Sequence, residues 1–139
     1  MEDALTMATE TKPVTATHTV CHVEIPAKNP DKLAAFYSSL FGWQFQPGPG
    51  MPDYKMALMA GGENTCGVAV YTPPAEDSHP LPRNYISVES IGAYTQKLEE
   101  LGGKVLHRFT ISGMGYGAIG LDPEGNSVSL WEQDENCKE

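Results

Sequence analysis

The sequence predicts an α+β fold, one strand–helix–three-strand unit (βαβββ) executed twice, and three observations carry that prediction. Helical spacing of apolar residues occurs in only two places, each preceded by a strand-like run and closed by glycine. Three strand-like runs follow each helix. A proline-rich stretch, TPPAEDSHPLP, separates the two sets and reads as a connector over about residues 73–82.

The elements follow in order. Residues 1–17, acidic and Thr-rich without arginine, read as an N-terminal tail and not as a targeting peptide. In the first strand His22 and Glu24 alternate with Val23 and Ile25. The first helix, about Pro30 to Phe41, spaces Leu33, Phe36, Tyr37, Leu40 and Phe41 along one stripe, with Asn29 as N-cap, Pro30 in the first turn and Gly42 as terminator. Strand-like runs come next at Trp43 to Gln46, Tyr54 to Ala60 and Cys66 to Tyr71, the last two joined by GGEN. The second module, about residues 83–132, repeats the plan. Tyr85 and Ser87 alternate with Ile86 and Val88, and the helix of about Ser90 to Leu101 has Ser90 as N-cap and Gly102-Gly103 behind it. Lys104 to Ile111, Gly115 to Leu121 and Ser127 to Trp131 complete it. In the turn DPEGN before the last strand, Pro123 pre-sets φ and Gly125 supplies the positive φ. Residues 133–139 read as a C-terminal tail, so one domain of about 18–132 is expected, its first module spanning about 18–72.

Parity assigns the faces. The aliphatic set of each strand should pack under the helices, and the mixed polar and aromatic set should line a concave cleft suited to a small molecule. Trp43, Phe45, Tyr54, Tyr85 and Trp131 are candidate walls for a planar ligand. The segment Gly113 to Gly117, GMGYG, sits between strands and does not open a helix, which argues against dinucleotide binding; Tyr116 within it is read as a cleft wall or lid.

Composition narrows the partners. The chain has 139 residues, 40% hydrophobic, with 9 basic against 18 acidic side chains, and the net charge of −9 disfavours nucleic acid and anionic membranes while favouring a neutral or cationic ligand. No apolar run approaches membrane-spanning length. Three cysteines without CxxC spacing suggest neither a disulfide framework nor a zinc knuckle, and a reducing, cytoplasmic location is expected. Serine-hydrolase, P-loop and zincin signatures are missing from the sequence.

The stretches HVEIPAKNPDKLAAFYSSLFGWQF, ELGGKVL and LDPEGNSVSLWE together resemble the vicinal oxygen chelate superfamily, the glyoxalase, bleomycin-resistance and extradiol-dioxygenase group, over about Thr19 to Glu132. The resemblance implies two βαβββ modules around an open barrel-like cleft, commonly in a homodimer. It also implies, in catalytic members, a divalent metal held by a His or Gln on the first strand of each module and by carboxylates on the last strands. Carried over, those positions fall on His22, near Arg83, on Gly67 or Ala69, and on Ser129. One of the four is a usual ligand, so no cofactor is expected.

The preferred expectation is a metal-independent small-molecule binder with a degenerate metal site. Arg83, Tyr85, Tyr116, Ser129 and Trp131 are its ligand-binding candidates. The alternative is a metal-dependent enzyme, lactoylglutathione lyase-like or dioxygenase-like, in which His22 and Glu24 share a divalent ion or act as base and acid. His18, His79 and His107 fit no ligand spacing.

Overall fold

The computed structural model describes residues 17–48, 50–58, 66–74 and 81–138. The GGEN turn, His79, most of the connector and nearly all of the N-terminal stretch lie outside the described residues.

The order of elements is β1 (Val20–Pro26), α1 (Pro30–Phe41), β2 (Gln46–Gly48), β3 (Met51–Leu58), β4 (Gly67–Tyr71), β5 (Arg83–Ser87), α2 (Ile91–Glu100), β6 (Lys104–Ile111), β7 (Gly115–Leu121) and β8 (Ser127–Gln133). The strands form one sheet in the order β2-β3-β4-β1-β5-β8-β7-β6, curled into a half-barrel. Within each module the first strand pairs in parallel with the last, β1 with β4 and β5 with β8. The modules join in the same chain through antiparallel β1 and β5, with His22 opposite Tyr85 and Glu24 opposite Arg83.

The helix ends follow their capping residues. Asn29 Oδ1 accepts from Lys32 N at 3.1 Å, Pro30 occupies the first turn, and Gly42 closes α1 at φ 77° while its N–H donates to Ser38 O. Ser90 Oγ accepts from Ala93 N at 3.1 Å to start α2, and the carboxylate of Glu132 on β8 caps the same end by accepting from Ile91 N at 2.8 Å. Val88, Ala118 and Leu130 form the buried core under α2, with Ile86, Ile91 and Tyr94 packed on it. In module one, Val68 and Val70 are buried on β4.

Two departures from the sequence reading have local causes. Trp43 and Phe45 are not strand residues: Ser38 Oγ donates to Trp43 O at 2.6 Å, and Trp43 stacks on Tyr37 at 5.6 Å, so the chain leaving α1 is held against the helix until Gln46. The strand after it starts at Met51 despite Pro52, because β2 and β3 shift register between Pro47 and Gly48, where a missing N–H costs no ladder bond. At the other end the chain does not fall away as a tail after Glu132. Asp134 N donates to Met114 O, Gly113 N to Cys137 O, and the buried Cys137 thiol to Ile111 O at 3.0 Å.

Candidate functional site

Alternation along the paired strands delivers one row of side chains to the centre of the concave face. The registers align Gly67, His22, Tyr85 and Ser129 across β4, β1, β5 and β8. Three of these positions, His22, Gly67 and Ser129, are ones at which the family resemblance implies a metal ligand. The sequence reading put Arg83 in the row as the counterpart of His22; the β1–β5 register gives that place to Tyr85 and sets Arg83 opposite Glu24, one step along.

The row's polar groups bond to each other. Tyr54 on β3 donates its hydroxyl hydrogen to Glu24 Oε2 at 2.6 Å and lies 2.7 Å from His22 Nε2. Tyr85 donates to Glu24 Oε1 at 3.1 Å. Arg83 stands behind them, its Nη1 3.8 Å from Glu24 Oε1 and 3.3 Å from the hydroxyl of Tyr71. Burial sets the protonation states: it lowers the His22 pKa to about 4, raises that of Glu24 against the opposing pull of Tyr54, Tyr85 and Arg83, and pushes both phenols well above their usual range. At neutral pH His22 is an uncharged imidazole.

Around this polar floor the cleft, about 190 Å³, is walled by soft and aromatic side chains. Met51 and Met56 stand on the β2–β3 side, Phe109, Ile111 and Met114 on the β6–β7 side, and Trp131 and Gln133 on β8. Phe109 and Trp131 meet at 6.4 Å with their planes inclined by 33°. The alternating glycines of GMGYG make room for them. A Cβ on Gly117 would stand 2.1 Å from Phe109 Cζ, and one on Gly115 would stand 2.7 Å from Trp131 Cζ2.

Of the expected site residues, His22, Glu24, Tyr85 and Trp131 line the cleft. Arg83 and Ser129 are not among its lining residues: Ser129 is fully buried, and among the described residues its Oγ and Arg83 Nε have no hydrogen-bond partner. Tyr116, expected as a wall or lid, is placed elsewhere. It pairs with Glu132 and Thr110 between Gly115 and Gly117, which face Trp131 and Phe109, so strand alternation turns it to the opposite side of β7. Sequence reasoning missed Tyr54 as the hydrogen-bonded centre of the site, and it missed Phe109 and the methionines. The glycines facing Phe109 were the available signal.

The donor set does not fit the family's divalent ion. Across the row stand an imidazole whose Nε2 is engaged, a phenol held protonated, a buried serine and a glycine, and a Cβ at Gly67 would already lie 3.2 Å from His22 Nδ1. Both carboxylate oxygens of Glu24 accept from phenols. Among the described residues no group of three or more His, Cys, Asp or Glu is placed to hold a metal.

A curled sheet of two βαβββ modules with a central polar row defines the vicinal oxygen chelate architecture. The chain belongs to the Glyoxalase/Bleomycin resistance protein/Dioxygenase superfamily, whose family model matches residues 19–130. It is 32% identical over 115 residues to the "Putative glyoxylase CFP32" of Mycobacterium tuberculosis, a match covering 79% of this chain but 44% of that protein, so the chain spans less than half the length of this relative. Among solved structures it superposes on the hypothetical protein BH1468 of Bacillus halodurans with a TM-score of 0.64 at 17% identity, covering 89% of this chain and 100% of the other. It superposes on methylmalonyl-CoA epimerase of Mycobacterium tuberculosis with a TM-score of 0.62 at 15% identity, covering 91% and 95%. At such identities the likeness is one of fold. Among the described residues no helix is long and apolar enough to cross a membrane.

Proposed function

We propose that this chain is a metal-independent small-molecule-binding member of the superfamily, taking a flat, neutral or cationic ligand into the cleft. One observation carries the reading: His22, Tyr54, Glu24 and Tyr85 are already tied into one hydrogen-bonded chain, while the cleft above them is walled by Phe109, Trp131, Met51, Met56 and Met114. Aromatic and thioether walls adapt to a planar guest and gain from its burial. The net charge of −9 and the acceptor-rich floor disfavour an anion. Free Cys21, Cys66 and Cys137 support a reducing, cytoplasmic setting, and the exposed Phe36, Leu40 and Phe41 on α1 support a homodimer.

The metal-dependent alternative around His22 and Glu24 offers an ion one free imidazole nitrogen and a carboxylate whose two oxygens already accept from Tyr54 and Tyr85, too few ligands to hold it. As a general base, His22 is weakened by its lowered pKa. The test is elemental analysis of protein purified without chelator, together with thermal shifts in Ni, Zn, Mn and Fe(II) and with a panel of neutral and cationic aromatic compounds. The binding reading expects melting to rise with members of the panel and not with the metals. A near-stoichiometric ion that disappears in His22→Ala overturns it.

A further inference from the structure

We propose that Tyr54 and Glu24 fix His22 as the Nε2–H tautomer, so that the cleft presents a bare Nδ1 lone pair and selects ligands carrying an O–H or N–H donor. The proposal deepens the binding reading above and rests on it for the ligand.

The assignment follows from counting protons with Glu24 as the carboxylate, the form that Tyr54, Tyr85 and Arg83 favour against burial. A phenol has one hydrogen to give, and that of Tyr54 then goes to Glu24 Oε2 at 2.6 Å. Its oxygen, 2.7 Å from His22 Nε2, is therefore an acceptor, and the imidazole must supply the hydrogen. A neutral ring with its proton on Nε2 has its lone pair on Nδ1. Burial keeps the ring neutral, and Glu24, Tyr54, Tyr85 and Arg83 are the ionisable groups around it, with Cys21 next to it in the chain.

The free nitrogen is open to the cleft. Among the described residues His22 makes no hydrogen bond through Nδ1, yet that atom is not one of their buried unpaired atoms, which are Arg83 Nε and Ser129 Oγ. Gly67 keeps it open: a Cβ there would stand 3.2 Å from Nδ1. An unpaired acceptor under aromatic and thioether walls discriminates strongly, because a guest without a donor leaves it desolvated and unpaired. Carboxylates and ethers bring only lone pairs to it. Phenols, enols, amides and protonated amines bring a hydrogen.

The experiment uses the full chain labelled with ¹⁵N, with phenol and its methyl ether anisole, which lacks the donor, as probes. Long-range proton–nitrogen spectra at pH 7 should show His22 neutral and protonated on Nε2, with Nδ1 shifting when phenol is added. Phenol should bind about two- to tenfold more tightly than anisole, the net worth of one hydrogen bond. Gly67→Ala should abolish that preference while the histidine signals still report a folded chain. An Nδ1–H tautomer, or an imidazolium, overturns the inference whatever the cleft binds. Equal binding of the two probes, with shifts at Trp131 and Phe109, overturns donor selection and leaves the binding reading standing. If neither probe shifts any cleft signal, both fail.

Discussion

Tyr54 ties together groups that have no other partners of equal quality. Replacing it by Phe leaves Glu24 Oε2 and His22 Nε2–H unpaired in a buried site, where each orphaned group costs about 1–3 kcal/mol. Tyr54→Phe should therefore lower stability by about 2–6 kcal/mol, and Tyr85→Phe, which loses one longer bond to Glu24, by about 1 kcal/mol. Urea midpoints at constant m-value measure both. The sequence showed His22 and Glu24 on one strand face because two-residue alternation is local. It did not show that Tyr54, thirty residues on in another strand, would reach between them, nor that Tyr85 and not Arg83 stands across from His22. Both depend on register between strands, and a two-residue shift moves the pairing along one face without changing which side chains point into the cleft.

At the scale of elements, legibility followed capping chemistry. Helix α1 starts at Pro30 and ends at Phe41 as its Asn29, Pro30 and Gly42 dictate, because each satisfies terminal groups within a few residues of itself. Strand β2 was misplaced because Trp43 and Phe45 carry strand-like chemistry, but Trp43 is drawn onto the helix by Tyr37 and Phe41 and Phe45 meets Trp43 edge-on. In β7 the glycines of GMGYG are places of close packing. Their measure of closeness is the Phe109 ring lying over Gly117. Gly117→Ala must push that ring into the cleft or off the sheet, and a loss of about 1–3 kcal/mol is expected with it, as for other overpacked sites. The same variant should weaken any cleft ligand, read by titration calorimetry. Gly92, exposed in the first turn of α2 with open space where a Cβ would go, is the contrasting case. Gly92→Ala should leave the cleft unchanged and add up to about 0.5–1 kcal/mol, visible as a higher melting temperature.

For the molecule as a whole, the repeat was readable in the sequence because each module carries its own caps and turns. The seam between modules was not, since β1–β5 pairing joins segments some sixty residues apart in sequence. That seam buries His22 against Tyr85, and through it the stability of the whole fold becomes dependent on pH. Burial lowers the His22 pKa from 6.5 to about 4. Between those values the unfolded chain takes up a proton that the folded chain refuses, so the contribution of His22 to stability falls as pH drops from about 6.5 to about 4 and is level outside that window. At 1.36 kcal/mol per unit the loss is at most about 3 kcal/mol. Glu24 works in the opposite sense. Its raised pKa means that the folded chain binds a proton before the unfolded chain does, which adds stability on acidification from the folded value toward 4.5. The two partly cancel in the wild type, and the separating measurement is the difference between wild type and His22→Gln, whose side-chain amide can still donate to Tyr54 without titrating. Urea unfolding at pH 7 and at pH 4.5 should show the wild type losing about 2 kcal/mol more than the variant on acidification. Equal losses would mean that His22 titrates in the folded chain as it does in the unfolded one, and that the polar row lies open to water.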